Sequence, residues 1–279
     1  MEERKNTGRV YLMNVDHANT HGAFDDKVAP VKQSNLCCEI NLPTKPLESI
    51  VDEHGEISLC TLSAINWGNI KKPDDFKKPC ELAVRALDAL LDYQKYPVLA
   101  AEASTMKRRP LGIGIINLAY WIAKNDMSYQ DIDEKGLAKI DEWAEAWSYY
   151  LIKASADLAQ EKGMISGNNE TKYGLGITPN QTYKKEVDEL VPHVERMDWE
   201  GLRTQLKRTG IRNSTLMALM PAETSAQISN STNGVEPPRA FVSVKQSKHG
   251  VLRQVVPGFA RLKNKYDLLW QQRLSLIHI

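Results

Sequence analysis

A chain of 279 residues is long enough for one large domain or two small ones. Hydrophobic residues make up 42% and charged residues 25%, which allows a sizeable core, and a net charge of +1 gives no electrostatic reason to expect a nucleic-acid or membrane partner. No apolar run approaches the ~20 residues of a membrane span, and the opening MEERKNTGRVYL lacks the apolar core of a signal peptide. Cys37, Cys38, Cys60 and Cys80 form neither a disulfide framework nor the CxxC pairs of a zinc site, so no metal is expected on this chain. The cytoplasm is the expected compartment, and a functional cysteine there works as a thiol.

Residues 8–14, GRVYLMN, read as a strand, followed by the polar stretch VDHANTHGAFDD. EISLCTLSAINWG is apolar on both faces, the pattern of a strand buried on both sides of a parallel sheet. Pro73 and Pro79 flank a polar loop. CELAVRALDALLDYQ then places Leu82, Leu87, Leu90 and Leu91 at helical spacing and stops before Pro97. Residues 111–124, LGIGIINLAYWIAK, read as a buried helix entered through a Gly-rich turn, and residues 134–162 as a long amphipathic helix. The region 163–196 is looser, with SGNNETKYGLGITPNQ as a surface or functional loop. WEGLRTQLKRTG is a short helix stopped by Gly210. NSTLMALM is a strand, PAETSAQISNSTNG a strand-to-helix turn with a short helix, and AFVSVKQ with VLRQVVPG a final hairpin. Strands alternate with helices, so the expected class is α/β. NKYDLLWQQR reads as a helix in progress without a cap, so the chain looks cut off before LSLIHI.

The stretch SNLCCEINLPTKP carries the chemistry. In an extended segment Asn35, Cys37 and Glu39 share one face, and Leu36, Cys38 and Ile40 the other. The polar set holds a thiol, a carboxylate that can take a proton, and an amide that can orient hydroxyls. Fully extended, Asn35 and Glu39 would stand ~13 Å apart, too far for one small substrate, so the segment must bend near Cys37 into a loop tip. Spacing alone also allows a buried cysteine in a turn whose Asn and Glu bond to the backbone. Cys60, in an apolar strand, and Cys80, after Pro79, read by themselves as structural. Pro221, Ala222, Glu223, Thr224 and Ser225 lead into a helix whose free N–H groups could cradle phosphate, or form an ordinary cap with Thr224 or Ser225 as N-cap.

Five long stretches carry a resemblance: VDHANTHGAFDDKVAPVKQSNLCCEINLPTKPL, GEISLCTLSAINWG, RRPLGIGIINLAYWIAK, GIRNSTLMALMPAETSAQISNSTNGVEPPR and GVLRQVVP. Together they resemble the large, catalytic subunit of class I ribonucleoside-diphosphate reductase, from about residue 5 to about residue 272. The resemblance implies a partial ten-stranded α/β barrel with the radical cysteine on an interior loop. Residues 1–272 would be an incomplete catalytic barrel, and 273–279 a tail foreign to the family.

By the same resemblance, Cys37 is the thiyl radical that removes the ribose 3′ hydrogen. Glu39 takes the 3′ hydroxyl proton, and Asn35 positions the hydroxyls. Cys60 is one member of the redox pair. Substrate contacts would come from Asn35 to Glu39, including Leu36 and Cys38, and from Pro221 to Ser225 around the diphosphate. Alternation turns Cys38 away from the substrate, toward packing. The resemblance implies no cofactor on this chain. A di-metal small subunit would supply the radical, thioredoxin or glutaredoxin the electrons, and ATP or deoxynucleotide effectors would bind mostly elsewhere. The full-length family forms homodimers. The redox partner of Cys60, the nucleotide-binding cone, the radical-delivering tyrosines and the C-terminal cysteine pair all fall outside these residues. An adenosylcobalamin-dependent reductase, and an inactive nucleotide- or subunit-binding truncation, are the alternatives.

Overall fold

The computed structural model describes residues 1–59, 61–248 and 250–269. Its strands are β1 (Thr61–Asn66), β2 (Leu111–Ile116), β3 (Val242–Ser247) and β4 (Gly250–Val255). Its helices are α1 (Glu2–Thr7), α2 (Val15–His21), α3 (Lys77–Tyr93), α4 (Leu99–Arg108), α5 (Leu118–Lys124), α6 (Glu134–Lys162), α7 (Pro179–Thr182), α8 (Trp199–Thr209), α9 (Glu223–Ile228) and α10 (Phe259–Leu262).

The centre is β2, in which all six residues are buried. β1 lies parallel to it, in register from Thr61↔Leu111 to Asn66↔Ile116. On its other side residues 215–218 run alongside. The N–H groups of Leu111 and Ile113 donate to Thr215 O and Leu216 O at 3.0 and 2.8 Å, and Ile113 and Met217 form a parallel bridge. The strand expected over NSTLMALM is therefore present only as this short neighbour.

Reading 111–124 as one buried helix is corrected: it is β2, then α5, with Asn117 at φ 67° between them. Gly114 serves close strand packing, not a turn. A Cβ on Gly114 would sit 2.5 Å from both Ala218 O and Met220 Sδ. β1 departs from the expectation of burial on both faces, because Leu62 is 44% exposed and only β2 pairs with this strand among the described residues.

Residues 8–14 do not form a strand. They follow α1 as exposed coil, and the Arg4 guanidinium takes the Gly8 and Val10 carbonyls that a ladder would have used. The next segment, read as merely polar, is α2.

The long helix stands where its periodicity put it. Asp133 caps α6 by accepting the Gly136 N–H at 2.8 Å. α3 begins at Lys77, ahead of the expected Cys80, and buries Cys80, Val84, Leu87, Asp88 and Leu91. Leu82 and Leu90, counted on its apolar face, point to solvent. These spacings of four, seven, eight and eleven make one inward stripe. α3 packs on the sheet and against α6, and Trp67, Phe76, Trp121 and Trp143 fill the space nearby with ring centroids 4.8–5.9 Å apart. α4 had no counterpart in the sequence reading. Residues 163–196 are short turns with α7, and α8 ends at Gly210 with φ 70°, both as expected. β3 and β4 form the expected antiparallel hairpin.

Two charge clusters tie these layers together. Asp88 of α3, fully buried, accepts from Arg109 Nε at 2.7 Å and Asn213 Nδ2 at 3.1 Å. Burial alone would lower the Arg109 pKa, but hydrogen bonds to Asp92 and Asp88 outweigh it and raise it. In the second cluster the buried Arg108 bridges Glu56 at 2.7 Å and Glu170 at 2.8 Å, and Lys107 and Lys45 also reach Glu56.

For Glu56, burial alone would raise the pKa. The Arg108 hydrogen bond and charge, with Lys45 and Lys107, prevail and hold it at about 2, below the ordinary 4.5. A depressed carboxylate stabilises the fold above its unfolded pKa and loses that contribution as pH falls toward its folded one. Glu56→Gln is therefore expected to destabilise the chain by about 3 kcal/mol near neutrality. The gap from the parent should close between pH 4.5 and about 2. Urea melts across that range test this; a gap independent of pH would contradict it.

Candidate active site

The bend demanded by the Asn35–Glu39 distance is present. Ser34 and Asn41 form an antiparallel bridge, closing a loop with Cys37 and Cys38 at its tip. The Cys38 N–H donates to Asn35 O at 3.1 Å, and Cys38 takes φ 63°. Cys37 and Cys38 are exposed free thiols.

An open cavity of about 520 Å³ lies against this tip, lined by Cys37, Cys38, Glu39, Trp147 and residues 217–219. Cys37 and Glu39 thus share one wall. One carboxylate oxygen of Glu39, Oε2, is buried and has no hydrogen-bond partner among the described residues.

Three expectations need correction. Asn35 does not line this cavity; its Oδ1 instead accepts the Ile40 N–H at 3.1 Å and braces the loop. Cys38 is neither packed nor turned away from Cys37. Period-2 alternation requires extended backbone, and the left-handed conformation of Cys38 breaks it, so both thiols face the same cavity. Leu36 is 75% exposed and also lies off the cavity wall. Cys60 lies outside the described residues. Cys80 is fully buried, and burial pushes its thiol pKa well above the usual range.

The Pro221–Ser225 segment continues the chain that forms the cavity wall at 217–219. It leaves the sheet at the end where β1 and β2 reach Asn66 and Ile116. α9 starts at Glu223 with Ala222 as its N-cap, so neither Thr224 nor Ser225 is the cap. The N–H groups of Glu223, Thr224 and Ser225 donate to no acceptor among the described residues. Thr224 Oγ1 accepts from Lys245 Nζ at 3.2 Å, and Ser225 Oγ donates to Ala222 O.

Asn233 holds this turn from behind, its Oδ1 accepting the Ala222 N–H at 2.7 Å. Asn117 bridges Asn66 and the Thr232 N–H, and Asn66 donates to Ser231 Oγ at 2.9 Å. Sequence reasoning missed Asn66, Asn117, Asn233 and Trp147. The asparagines stood inside quoted motifs, but only their convergence at one sheet end reveals their task. Nothing in the sequence pointed to Trp147.

Parallel strands with covering helices, and a thiol–carboxylate pair beside the sheet, define an α/β protein with the parts of a thiol-based active site. A family model described as the barrel domain of ribonucleotide reductase matches residues 1–275. The chain belongs to that family. It is 57% identical over 270 residues to ribonucleoside-diphosphate reductase subunit alpha of Haemophilus influenzae. It is 58% and 56% identical over 271 residues to the ribonucleoside-diphosphate reductase 1 subunit alpha proteins of Salmonella typhimurium and Escherichia coli. Each match takes in 97% of this chain and 35% of the relative, so the chain spans about a third of the length of the curated relatives it matches. The described residues contain two open sheets, one parallel and one antiparallel, and no helix long and apolar enough to cross a membrane.

The exposure of the thiols has a direct check. Brief alkylation of the native chain is expected to modify Cys37 and Cys38 and to spare Cys80 until denaturant is added. Peptide mapping by mass spectrometry reads the three sites separately. Early labelling of Cys80, or protection of Cys37, would contradict the placement.

Proposed function

We propose that the complete protein reduces ribonucleoside diphosphates to 2′-deoxyribonucleoside diphosphates, with this chain supplying the reacting thiol. The observation that carries the reading is the shared wall of one cavity: the exposed Cys37 thiol beside Glu39, whose buried Oε2 lacks a partner among the described residues. Membership of the family, and relatives named ribonucleoside-diphosphate reductase subunit alpha, support it.

In this reading Cys37, as a thiyl radical, takes the hydrogen atom from ribose C3′ and returns it at the end. A thiol can hold and give back a hydrogen atom. Glu39 accepts the 3′ hydroxyl proton, which helps the 2′ hydroxyl, protonated by a thiol of the redox pair, leave as water. Asn35 serves by bracing the loop that carries Cys37. The diphosphate lies along Pro221–Ser225, where three N–H groups are free among the described residues and Lys245 stands close to Thr224. Cys60, with a cysteine beyond this chain, supplies two electrons as a dithiol. That role rests on family resemblance alone.

The word alpha in the relatives' names favours a separate subunit as the source of the radical, over adenosylcobalamin. That subunit is the proposed di-metal partner. Thioredoxin or glutaredoxin is the proposed reductant, and a homodimer the proposed assembly. The effector sites for ATP and deoxynucleotides are proposed to lie mostly beyond these residues. Free Cys37, Cys38 and Cys80 suit the reducing cytoplasm.

The test uses the full-length protein with its partner subunit. Cys37→Ser is expected to abolish deoxyribonucleotide formation while leaving the thermal midpoint unchanged. Glu39→Gln is expected to lower kcat by about 10²–10³. A turning-over Cys37→Ser enzyme would end this reading.

A further inference from the structure

Glu39 also lines a second cavity. This space of about 240 Å³ is also lined by His21, Asn41, Lys172, Thr182 and Thr215, among others. Cys37 is not part of its wall. One water needs roughly 10–15 Å³ of such space and two to four polar partners, so the cavity has room for a chain of waters.

His21 closes the α2 side of the cavity. Its Nδ1 lies 2.6 Å from Thr182 O. A carbonyl accepts only, so Nδ1 carries the proton and Nε2 of the neutral ring is left as the acceptor. The half-buried ring is anchored through one nitrogen, which leaves the other to hydrogen-bond water. Lys172, whose Nζ donates to Asn19 O and Thr20 O at 3.0 and 2.7 Å, fixes the end of α2 that presents this ring.

The charged and titratable surroundings come from several elements. On α2 itself the His17 ring lies 5.7 Å from His21, with Asp16 beside it. The 172–173 segment brings Lys172 and Tyr173, the Cys37 loop brings Glu39, and Asp25 and Asp26 stand near Lys172. α7 contributes only neutral groups, Thr182 and its carbonyl.

A substrate seated over Cys37 covers the open side of Glu39. A proton taken by Glu39 then has one other way out. Resting on the reading of Glu39 under Proposed function, we propose that the second cavity is a hydrated proton path between Glu39 and solvent, with His21 as its exchange group. The 3′ hydroxyl proton first forms the Glu39 O–H bond. It passes through water to His21 Nε2, giving an imidazolium, and leaves to bulk solvent; the return runs in reverse. No electron moves along this path. His21 acts on Glu39 through water and does not touch the substrate.

The full-length enzyme with its partner subunit provides the test. His21→Gln keeps an amide donor for Thr182 O but cannot shuttle a proton. It should lower kcat about tenfold, leave KM for the ribonucleoside diphosphate unchanged, and remove one limb of the pH–kcat profile. Added imidazole should restore kcat of His21→Ala. A folded His21→Gln enzyme with an unchanged pH profile overturns the path, as does a slow His21→Ala enzyme that imidazole does not rescue. If His21→Ala does not fold, the His21→Gln profile decides alone. Full turnover by Glu39→Gln would instead sink the underlying role of Glu39. An inactive Glu39→Gln with unaffected His21 variants would sink only the proton path.

Discussion

The rest of the structure depends on the burial of one carboxylate. Asp88 has no exposed surface, and the Arg109 guanidinium takes both its Oδ1 and its main-chain oxygen, at 2.7 and 2.6 Å. Arg109 sits at the join of α4 and β2 with φ 43°. The same Asp88 oxygen accepts from Asn213, which also bonds Arg109 O and Ser155 of α6. One buried charge thereby sets where α3, β2, α6 and the 213–218 segment meet. Leaving any member unpaired in this interior is strongly unfavourable, so the arrangement tolerates little sliding.

That constraint reaches the site through the strands. Asn213 begins the segment that runs along β2, and Met217 to Leu219 of that segment form a wall of the Cys37 cavity. The segment then enters the Pro221–Ser225 turn, held by Asn233, while Asn117 links the end of β2 to Thr232. Functional groups thus sit on loops, and buried strands and buried hydrogen bonds hold them. Glu39 is placed between two cavities, one shared with Cys37 and one with His21.

The helices whose period ran unbroken were legible. α6 and α8 are where apolar spacing, Asp133 and Gly210 put them. The bend at Cys37 followed from chain length alone, because an extended backbone holds Asn35 and Glu39 too far apart. LGIGII failed as a helix because Gly114 answers to Ala218 and Met220, more than a hundred residues away. GRVYLMN failed as a strand because no neighbour offers it a ladder among the described residues, and Arg4 satisfies its carbonyls instead.

What the sequence determined by itself was local: the spans of α6 and α8, the hairpin, the α/β class, and the grouping of a thiol, a carboxylate and an amide within five residues. Those features depend on neighbours along the chain, through backbone geometry and the spacing of apolar side chains. Tertiary structure alone decided which way each side chain faces. Cys38 joins Cys37 on one cavity because φ 63° defeats alternation, and Asn35 turns to its own loop because Ile40 offers it an N–H. Only packing brings Trp147 and His21 near this loop, since their distance along the chain carries no record of their nearness in space.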